Sequence, residues 1–322
     1  MIDLEAVISL RAVATQGSVA AAATSLGYTP SAVSQQVKRL ERETGVALLE
    51  RVGRGVVLTE AGTRLVVAST PILADVERLR ADLQLAGAGE GGVVGEIRLA
   101  AFSTVVRGLV IPVLAELAAR HPALRLPLRE SEPWETTALI ASGQRDLGIV
   151  HRWGGVALAM PDHLVATPLF TDVADVILHR DHPLAGRDVL HPEELAEQAW
   201  VATFEATICR QWLRRLFDGV ANAPRIVHES MEFANHLELA HAGLAVALVP
   251  RLGRGDLGPD LVAIPTANPA STRDVLAVHR RTQADSPALQ VALETVVRHS
   301  ASFADRPRVG AEPVAHVAEQ AD

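Results

Sequence analysis

The sequence from Gly17 to Gly62, GSVAAAATSLGYTPSAVSQQVKRLERETGVALLERVGRGVVLTEAG, predicts two helices separated by a tight turn and followed by a β-hairpin. Ser18 is a suitable N-cap for the first helix, because its hydroxyl can accept a hydrogen bond from an amide of the first turn. The alanine-rich segment that follows allows close helix packing and ends at Gly27, which favours a left-handed C-terminal cap. Upstream, apolar residues at helical spacing predict another helix from Leu4 to Ala14.

The second helix of this stretch is predicted to be amphipathic. Thr29 is its N-cap, and Pro30 occupies the first turn, where a missing amide proton does no harm. The helix is expected to end near Glu43, with an inward face formed by Ala32, Val33, Val37 and Leu40. The residues left on the outward face are Ser31, Ser34, Gln35, Lys38 and Arg42.

The segment after Gly45 predicts a short β-hairpin and then one long helix. Weak alternation of apolar residues around Gly53-Arg54-Gly55 is typical of a two-stranded wing with a basic tip. Thr59 caps the next helix, which is expected from about Glu60 to Ala86 and in which Pro71 should kink the axis. Its apolar residues follow a heptad spacing with Ser69 as the gap, which indicates a seam for a partner helix. The seam comprises Leu65, Ile72, Val76, Leu79, Leu83 and Ala86.

Beyond this helix the pattern changes to alternating strands and helices. The glycine-rich segment GAGEGGVVG, from Gly87 to Gly95, is interpreted as a flexible hinge. From EIRLAAF onward, strand-like and helix-like segments alternate in two sets, so we expect two α/β lobes with parallel sheets. The predicted strands of the second set include LVATPLF and DVADVILH, and a helix from Pro287 to His299 is expected near the end of the chain. The polar segment from Asp305 to Asp322 lacks periodicity and is predicted to be disordered.

The composition favours a cytoplasmic chain of two or three domains. The 322 residues are 48% hydrophobic and 21% charged, which supplies enough apolar material for packed cores. No apolar run reaches the roughly 18 residues of a membrane-spanning helix, and the N-terminal residues predict no secretory signal. The single cysteine, Cys209, cannot form an internal disulfide.

Basic residues are concentrated in one short region, although the chain is acidic as a whole. The net charge is −8, which by itself disfavours a nucleic-acid partner. The first sixty residues, however, are neutral in sum, and most of their bases lie between Lys38 and Arg54. This local concentration coincides with the amphipathic helix and the wing.

The run from Gly17 to Gly62 closely resembles the signature of LysR-type transcriptional regulators. The Gly-Ser start, the paired alanines, SAVSQQVKRLE, the LLER segment and LTEAG occur in the order and spacing of that family. Two departures are Val19 and Leu49, which stand where the family often has phenylalanine.

The resemblance implies a multi-domain fold, with an α-rich winged helix-turn-helix and an α/β effector domain of two lobes that is similar to periplasmic binding proteins. The expected divisions are residues 1–60 for the DNA-binding domain, 61–94 for a dimerisation helix and hinge, 95–303 for the effector domain, and 304–322 for the tail. The implied partners are double-stranded DNA with dyad operators, a small-molecule inducer, and further copies of the chain in a homodimer or homotetramer. No cofactor, metal or membrane partner is implied.

On this resemblance, the helix after Thr29 would lie in the major groove with its N-terminal end first. Glutamine suits adenine, serine is permissive, and the arginines of the wing can contact the minor groove or the phosphates. The candidate DNA-binding residues are Thr29, Pro30, Ser31, Ser34, Gln35, Lys38, Arg42, Arg51 and Arg54. The alternative is that these side chains merely form a solvated polar surface.

A cleft between two α/β lobes is a natural small-molecule site, with ligands beyond the carboxyl ends of the strands. The first strand is expected to end at Ser103 and Thr104, whose hydroxyls would hold a carboxylate or, alternatively, only cap a helix. Glu132 and Glu205 would repel an anion and would suit an amine-bearing ligand, such as an amino acid, better. The candidate effector-binding residues are Ser103, Thr104, Glu132, Trp134, His151, Trp153, Thr203, Glu205 and Thr207.

No catalytic or metal-binding pattern is found in the sequence. His236 and His241 are five residues apart and fall on different faces of a helix, so we interpret them as structural. Cys209, in a helix beside Trp212 and Leu213, is interpreted as a core residue, with an oxidation sensor as the alternative. A P-loop, a nucleophile elbow and a dinucleotide fingerprint are all missing.

Two other functions are weighed against gene regulation. A solute receptor could be built on the same two lobes, but the expected lack of a signal peptide and the N-terminal helix-turn-helix oppose it. An enzyme is opposed by the lack of a catalytic constellation, so we expect a protein without enzymatic activity.

Overall fold

The computed structural model describes residues 2–53, 55–87, 93–222 and 224–304, and the chain divides into two compact units. Each unit is assembled from separate segments of the chain. Unit 1 comprises Met1–His151, Leu158–Leu169 and Val275–Ser300. Unit 2 comprises Arg152–Ala157, Phe170–Asp274 and Ala301–Asp322.

The N-terminal part of unit 1 is a three-helix arrangement with a wing, as predicted. The predicted caps are confirmed, because the Ser18 and Thr29 side chains accept hydrogen bonds from Ala21 N and Ala32 N at 3.1 and 3.2 Å. All three helices end at glycines in the left-handed conformation. The elements are α1 (Leu4–Gln16), α2 (Val19–Leu26), α3 (Pro30–Thr44), β1 (Leu49–Val52) and β2 (Gly55–Leu58).

Two apolar clusters hold this part together. In one cluster, Leu10 of α1 and Leu40 of α3 are fully buried together with Leu48, which precedes the wing. The other cluster brings the alanines of α2 against Val13 and Val33. The small alanine side chains let α2 pack closely on α1 and α3. This packing fixes the inner face of α3 and leaves its opposite face at the surface.

The long helix α4 (Glu60–Gly87) follows Thr59, whose Oγ1 accepts a hydrogen bond from Gly62 N at 3.0 Å. The predicted extent is confirmed, and the helix continues through Pro71. Within the single chain, Ile72 and Leu79 of the predicted seam are 52% and 57% exposed. The Leu83 and Ala86 side chains lie outside the described residues, as do Arg54, most of the predicted hinge and the predicted tail.

The rest of unit 1 is an α/β layer in which β4 pairs in parallel with both β6 and β7. The predicted strand EIRLAAF forms two short strands rather than one, of which the first pairs with β5 and the second with β6. The elements are β3 (Gly95–Glu96), β4 (Leu99–Ala101), α5 (Ser103–Val105), a π-helical turn at Val106–Val110, α6 (Ile111–Arg120), β5 (Leu124–Arg125), β6 (Leu128–Glu130), α7 (Pro133–Ala141) and β7 (Leu147–Trp153).

The sheet of unit 2 is mixed, which corrects the expectation of purely parallel sheets. Its strand β9 pairs in parallel with β10 and β11, but β8 pairs antiparallel with β11 and β12. Two predicted strands, LVATPLF and DVADVILH, are one continuous strand. The elements of this region are β8 (Leu164–His179), α8 (Pro192–Leu195), β9 (Ala199–Ala202), α9 (Ile208–Leu216), β10 (Arg225–Glu229), α10 (Phe233–His241), β11 (Val246–Pro250) and β12 (Leu261–Pro265).

The chain returns to unit 1 through β13 (Thr272–Arg280) and α11 (Pro287–Ala304), which is longer than the predicted helix from Pro287 to His299. Trp200, fully buried in β9, is at the centre of the larger apolar cluster of unit 2, packed edge-on against Phe217 at 5.9 Å. None of the described helices is both long and apolar enough to cross a bilayer.

Candidate functional site

The outward face of α3 carries polar side chains at the positions predicted from the sequence. Thr29 Oγ1, besides capping the helix, lies 3.0 Å from Ser31 Oγ, so the first turn presents two linked hydroxyls. Ser34 is half-buried and the other predicted residues of the helix are exposed. The exposed set is Thr29, Pro30, Ser31, Gln35, Lys38 and Arg42.

The inner side of α3 is fixed by polar contacts that the sequence did not reveal. Gln36 Oε1 accepts a hydrogen bond from Ser9 Oγ of α1, and Arg39 forms an ion pair with Asp3, the N-cap of α1. Glu41 Oε1 accepts hydrogen bonds from Leu48 N at 2.8 Å and from the following amide. Arg39, counted among the local bases, therefore serves the packing of α3 against α1.

A concave groove of about 940 Å³ runs along α3 and the turn that follows it. Gln35, Lys38 and Arg42 are among the residues that line it, so the groove runs past both the amide and the basic side chains of the outward face. On the wing, Arg51 is exposed, whereas Arg54 lies outside the described residues. Tyr28, which is 47% exposed immediately before the N-cap of α3, was not among the predicted DNA-binding residues. The signal for it in the sequence was an aromatic residue between the C-cap Gly27 and the N-cap Thr29.

Unit 1 brings five of the predicted effector residues to the carboxyl ends of parallel strands. Ser103 and Thr104 follow β4, Glu132 and Trp134 follow β6, and His151 lies within β7. The carboxyl ends of β4 and β6 are linked by a hydrogen bond from Ser131 N to Ala101 O at 3.0 Å. His151 is buried edge-on against Phe102, with ring centroids 4.5 Å apart.

The expected strand end and the capping alternative for Ser103 and Thr104 both need correction. Strand β4 ends at Ala101, and the N-cap of α5 is Phe102, which makes no side-chain capping hydrogen bond. Ser103 and Thr104 lie inside the first turn because Phe102 occupies the cap position. Glu132 similarly stands at the N-cap of α7, and its side chain accepts no capping hydrogen bond there.

At the other end of these strands, buried charges tie β4, β7 and β13 together. The Asp146 carboxylate accepts hydrogen bonds from Arg98 Nε at 2.8 Å, Arg280 Nη2 at 3.2 Å and Gln283 Nε2 at 3.0 Å. Burial alone would raise the pKa of Asp146, but the hydrogen bonds and charges of Arg98 and Arg280 outweigh it and hold the pKa at about 2. The network thus fixes the strand ends opposite the candidate residues.

Unit 2 contains the other four predicted residues, and three of them are buried in two adjoining contacts. Trp153 stacks on Trp212 at 5.4 Å, beneath the Arg273 guanidinium. Thr203 and Thr207 place their hydroxyl oxygens 2.6 Å apart, and Thr207 caps α9 by accepting a hydrogen bond from Arg210 N. These contacts give Trp153, Thr203 and Thr207 fixed orientations.

The fourth residue, Glu205, is exposed and pairs with Arg214 at 3.4 Å. Because this pairing compensates its charge, Glu205 would repel an anionic ligand less than the sequence suggests.

His236, interpreted as structural from the sequence, was not among the predicted effector residues, and Cys209 packs against an apolar cluster, as the interpretation of a core residue expects. A small cavity of about 20 Å³ in unit 2 is lined by both residues together with Trp153 and Thr203. His236 is 1% exposed, and burial lowers its pKa against the opposing hydrogen bond to the Ser230 carbonyl. The available signal was the spacing of Phe233, His236 and Ala240, which places all three on the inward face of α10.

Comparison with known families decides the identity of this fold. Residues 4–63 match the family described as "Bacterial regulatory helix-turn-helix protein, lysR family", and residues 90–301 match the "LysR substrate binding domain". The chain belongs to the LysR family of transcriptional regulators. The predicted family, the predicted winged helix-turn-helix and the predicted α/β effector domain are confirmed. As a LysR-family regulator, the protein binds DNA and carries a domain through which a ligand modulates that binding.

Curated relatives and solved structures agree with this assignment. The chain is 32% identical over 253 residues to the HTH-type transcriptional regulator ShiR of Corynebacterium glutamicum, covering 77% of this chain and 82% of the relative. It is 28% identical over 286 residues to the uncharacterized regulator YfeR of Shigella flexneri, covering 89% and 90% of the two chains.

The solved LysR-family structures show the same fold at low identity. A full-length OxyR variant from Pseudomonas aeruginosa is 20% identical with a TM-score of 0.61, covering 92% of this chain and 98% of that chain. Full-length CbnR in complex with its target DNA is 21% identical with a TM-score of 0.53, covering 92% and 99%.

Proposed function

We propose that this LysR-family regulator recognises its operator with the N-terminal half of α3 in the major groove. The observation that carries the proposal is the division of α3 into a packed inner face and an exposed polar outer face. Gln35 has the amide that pairs with adenine, and Ser31 is a permissive contact. Lys38 and Arg42, one and two turns further along, suit phosphates or guanine.

Flanking residues extend this surface. The ring of Pro30 can contact a thymine methyl group, and Thr29 and Ser34 supply hydroxyls beside it. Arg51 and Arg54 of the wing are assigned to the minor groove or the phosphate backbone. The charge of these residues makes affinity depend steeply on salt, because phosphate contacts release counterions.

We further propose that two chains pair through α4. The exposure of Ile72 and Leu79 in the single chain supports this pairing, since both lie on the heptad seam. Two helix-turn-helix domains related by a two-fold axis require an operator with an interrupted dyad, with half-sites about one helical turn apart or a multiple of that. Two such dimers would form the homotetramer.

The effector domain is assigned a small-molecule inducer rather than a substrate that it converts. The candidate residues in both units lie at strand ends and helix starts, the usual place for ligands in α/β folds. The sequence suggests a carboxylate or an amino acid as the inducer. We propose that the protein only binds this molecule and does not convert it. A protein that acts on a chromosomal operator would work in the cytoplasm, and we propose that location.

A gel-shift titration on DNA from upstream of the protein's own gene tests the DNA-binding assignment. Gln35→Ala should reduce discrimination against a changed base pair by about 1–3 kcal/mol, while Lys38→Ala should weaken binding to all sequences alike and lower the salt slope by about one. Glu43→Ala, exposed at the end of the same helix, is the matched control. Salt-insensitive binding, or equal discrimination by wild type and Gln35→Ala, would contradict the proposal.

A further inference from the structure

The small cavity of unit 2 has room for one group about the size of a water molecule. Its volume of about 20 Å³ exceeds the roughly 10–15 Å³ that a single water needs. The walls are largely apolar, with Val201, Leu213, Phe233 and Leu248 among the lining residues. Any polar atom that faces this cavity therefore determines which chemical group is stable inside it.

His236, which lines this cavity, has a buried hydrogen-bond acceptor. Its Nε2 lies 2.8 Å from the Ser230 carbonyl oxygen, which can only accept, so Nε2 carries the proton. In the neutral ring, Nδ1 then has a lone pair and no proton. The residue is only 1% exposed, and Nδ1 has no hydrogen-bond partner in the described part of the chain. An acceptor left in this state is unfavourable, and a ligand donor would satisfy it.

Thr203 contributes a second acceptor. The Thr207 hydroxyl has one proton, which it donates to the Phe204 carbonyl oxygen at 2.8 Å, while it accepts from Arg210 N at 3.1 Å. The hydrogen bond of 2.6 Å between the two threonines must then be donated by Thr203. The Thr203 oxygen consequently keeps lone pairs but has no proton left for a ligand.

We infer that this cavity receives a hydroxyl or ammonium end group of the inducer, with His236 Nδ1 and Thr203 Oγ1 accepting its hydrogen bonds. A carboxylate would place its lone pairs against these two acceptors, so a donor group is favoured at this position. The inference rests on the proposed function, because it assumes that unit 2 contributes to the inducer site. It assigns His236 as the residue that selects the ligand class.

Isothermal titration calorimetry on the full chain tests this assignment with probes matched in length. The aliphatic set is 4-hydroxybutyrate, 4-aminobutyrate and butyrate, and the aromatic set is benzyl alcohol, benzylamine and benzoate. Binding is expected for the hydroxyl or ammonium member of a set and not for its counterpart that lacks the donor. His236→Leu should weaken that binding about fivefold to tenfold, whereas His236→Gln, which keeps an acceptor, should restore part of it.

His241→Gln is the matched control, since His241 lies on the same helix but has a half-exposed side chain paired with Asp260. Operator binding by gel shift shows that each variant is folded and separates this inference from the proposed function. Binding of butyrate and benzoate alone, equal affinity in His236→Leu and wild type, or no donor probe bound by a chain that still shifts its operator would each overturn the inference. Loss of operator binding by the wild-type chain would instead contradict the proposed function.

Discussion

Asp146→Asn is expected to destabilise unit 1 by removing the negative charge that two arginines share. Asp146 lies immediately before β7, Arg98 immediately before β4, and Arg280 at the end of β13, so one carboxylate joins three strand ends. It also accepts a hydrogen bond from Arg98 N at 3.0 Å. Asparagine has nearly the same shape but cannot compensate the arginine charges. Since the Asp146 and Arg280 side chains are both only 7% exposed, water cannot replace the lost partner.

The size of the effect follows from burial and from the pKa. Breaking a buried ion pair by removing one partner costs about 3 kcal/mol or more. The pKa of Asp146 is lowered from 3.8 to about 2, and a shift of this size corresponds to about 2 kcal/mol of stability. Because the pKa is lower in the folded chain, this contribution is present above pH 3.8 and is lost as the pH falls towards 2. The advantage of wild type over Asp146→Asn should therefore shrink by about 2 kcal/mol across that window.

Urea unfolding followed by circular dichroism measures both effects. At pH 7 the midpoint of Asp146→Asn should fall by about 1 M relative to wild type. Asp274→Asn is the control, because the Asp274 side chain is 51% exposed and its pair with Arg152 at 3.3 Å is a surface salt bridge. Its midpoint should move by a small fraction of that amount. Equal midpoints for Asp146→Asn and Asp274→Asn, or a wild-type advantage that stays constant from pH 4 to pH 2, would refute the reasoning.

Two further substitutions test the DNA-binding half of the protein. Ile72→Asp puts a charge on the α4 seam and should weaken dimerisation by about tenfold or more in sedimentation equilibrium. Val67 is 67% exposed and off the seam, so Val67→Asp should leave the measured mass unchanged. A dimer unaffected by Ile72→Asp would exclude this seam. Gly62→Ala places a Cβ 2.2 Å from the Leu48 carbonyl oxygen and should lower stability by about 1–3 kcal/mol with loss of operator binding. Gly186→Ala, with open space around its Cβ position, is the thermal-melting control, and equal melting of both alanine variants would show that the helix can shift without cost.

Features of the protein that depend on neighbouring residues were predictable from the sequence. Capping by Ser18 and Thr29 needs an amide only three residues away, and a glycine ends a helix by its own backbone freedom. The inward and outward faces of α3 follow from the helical period, which holds Val33, Val37 and Leu40 on one side. Each of these features depends on residues that are close together in the chain, so it can be read from the sequence alone.

Contacts between distant segments were not predictable in this way. Nothing near Asp146 in the sequence indicates that Arg280 will bind it, and nothing near Asp3 indicates Arg39. The segments LVATPLF and DVADVILH, predicted as two strands, are one strand, β8, and its second half pairs with β11 and β12 from later in the chain. Pairing partners of this kind are decided by tertiary packing rather than by local propensity.

The same distinction separates recognition from positioning within α3. Gln35 and Gln36 are chemically identical neighbours, yet Gln35 is exposed on the outer face while Gln36 is hydrogen-bonded to Ser9 of α1. Lys38 and Arg39 differ in the same way, since Arg39 is engaged by Asp3. An α-helix rotates by about 100° per residue, so adjacent residues of the same chemistry are assigned to different partners by the packing of the inner face. The contacts of α1 with the inner face of α3 therefore decide which side chains of α3 remain available to contact bases, although α1 itself contacts no base in the proposed arrangement.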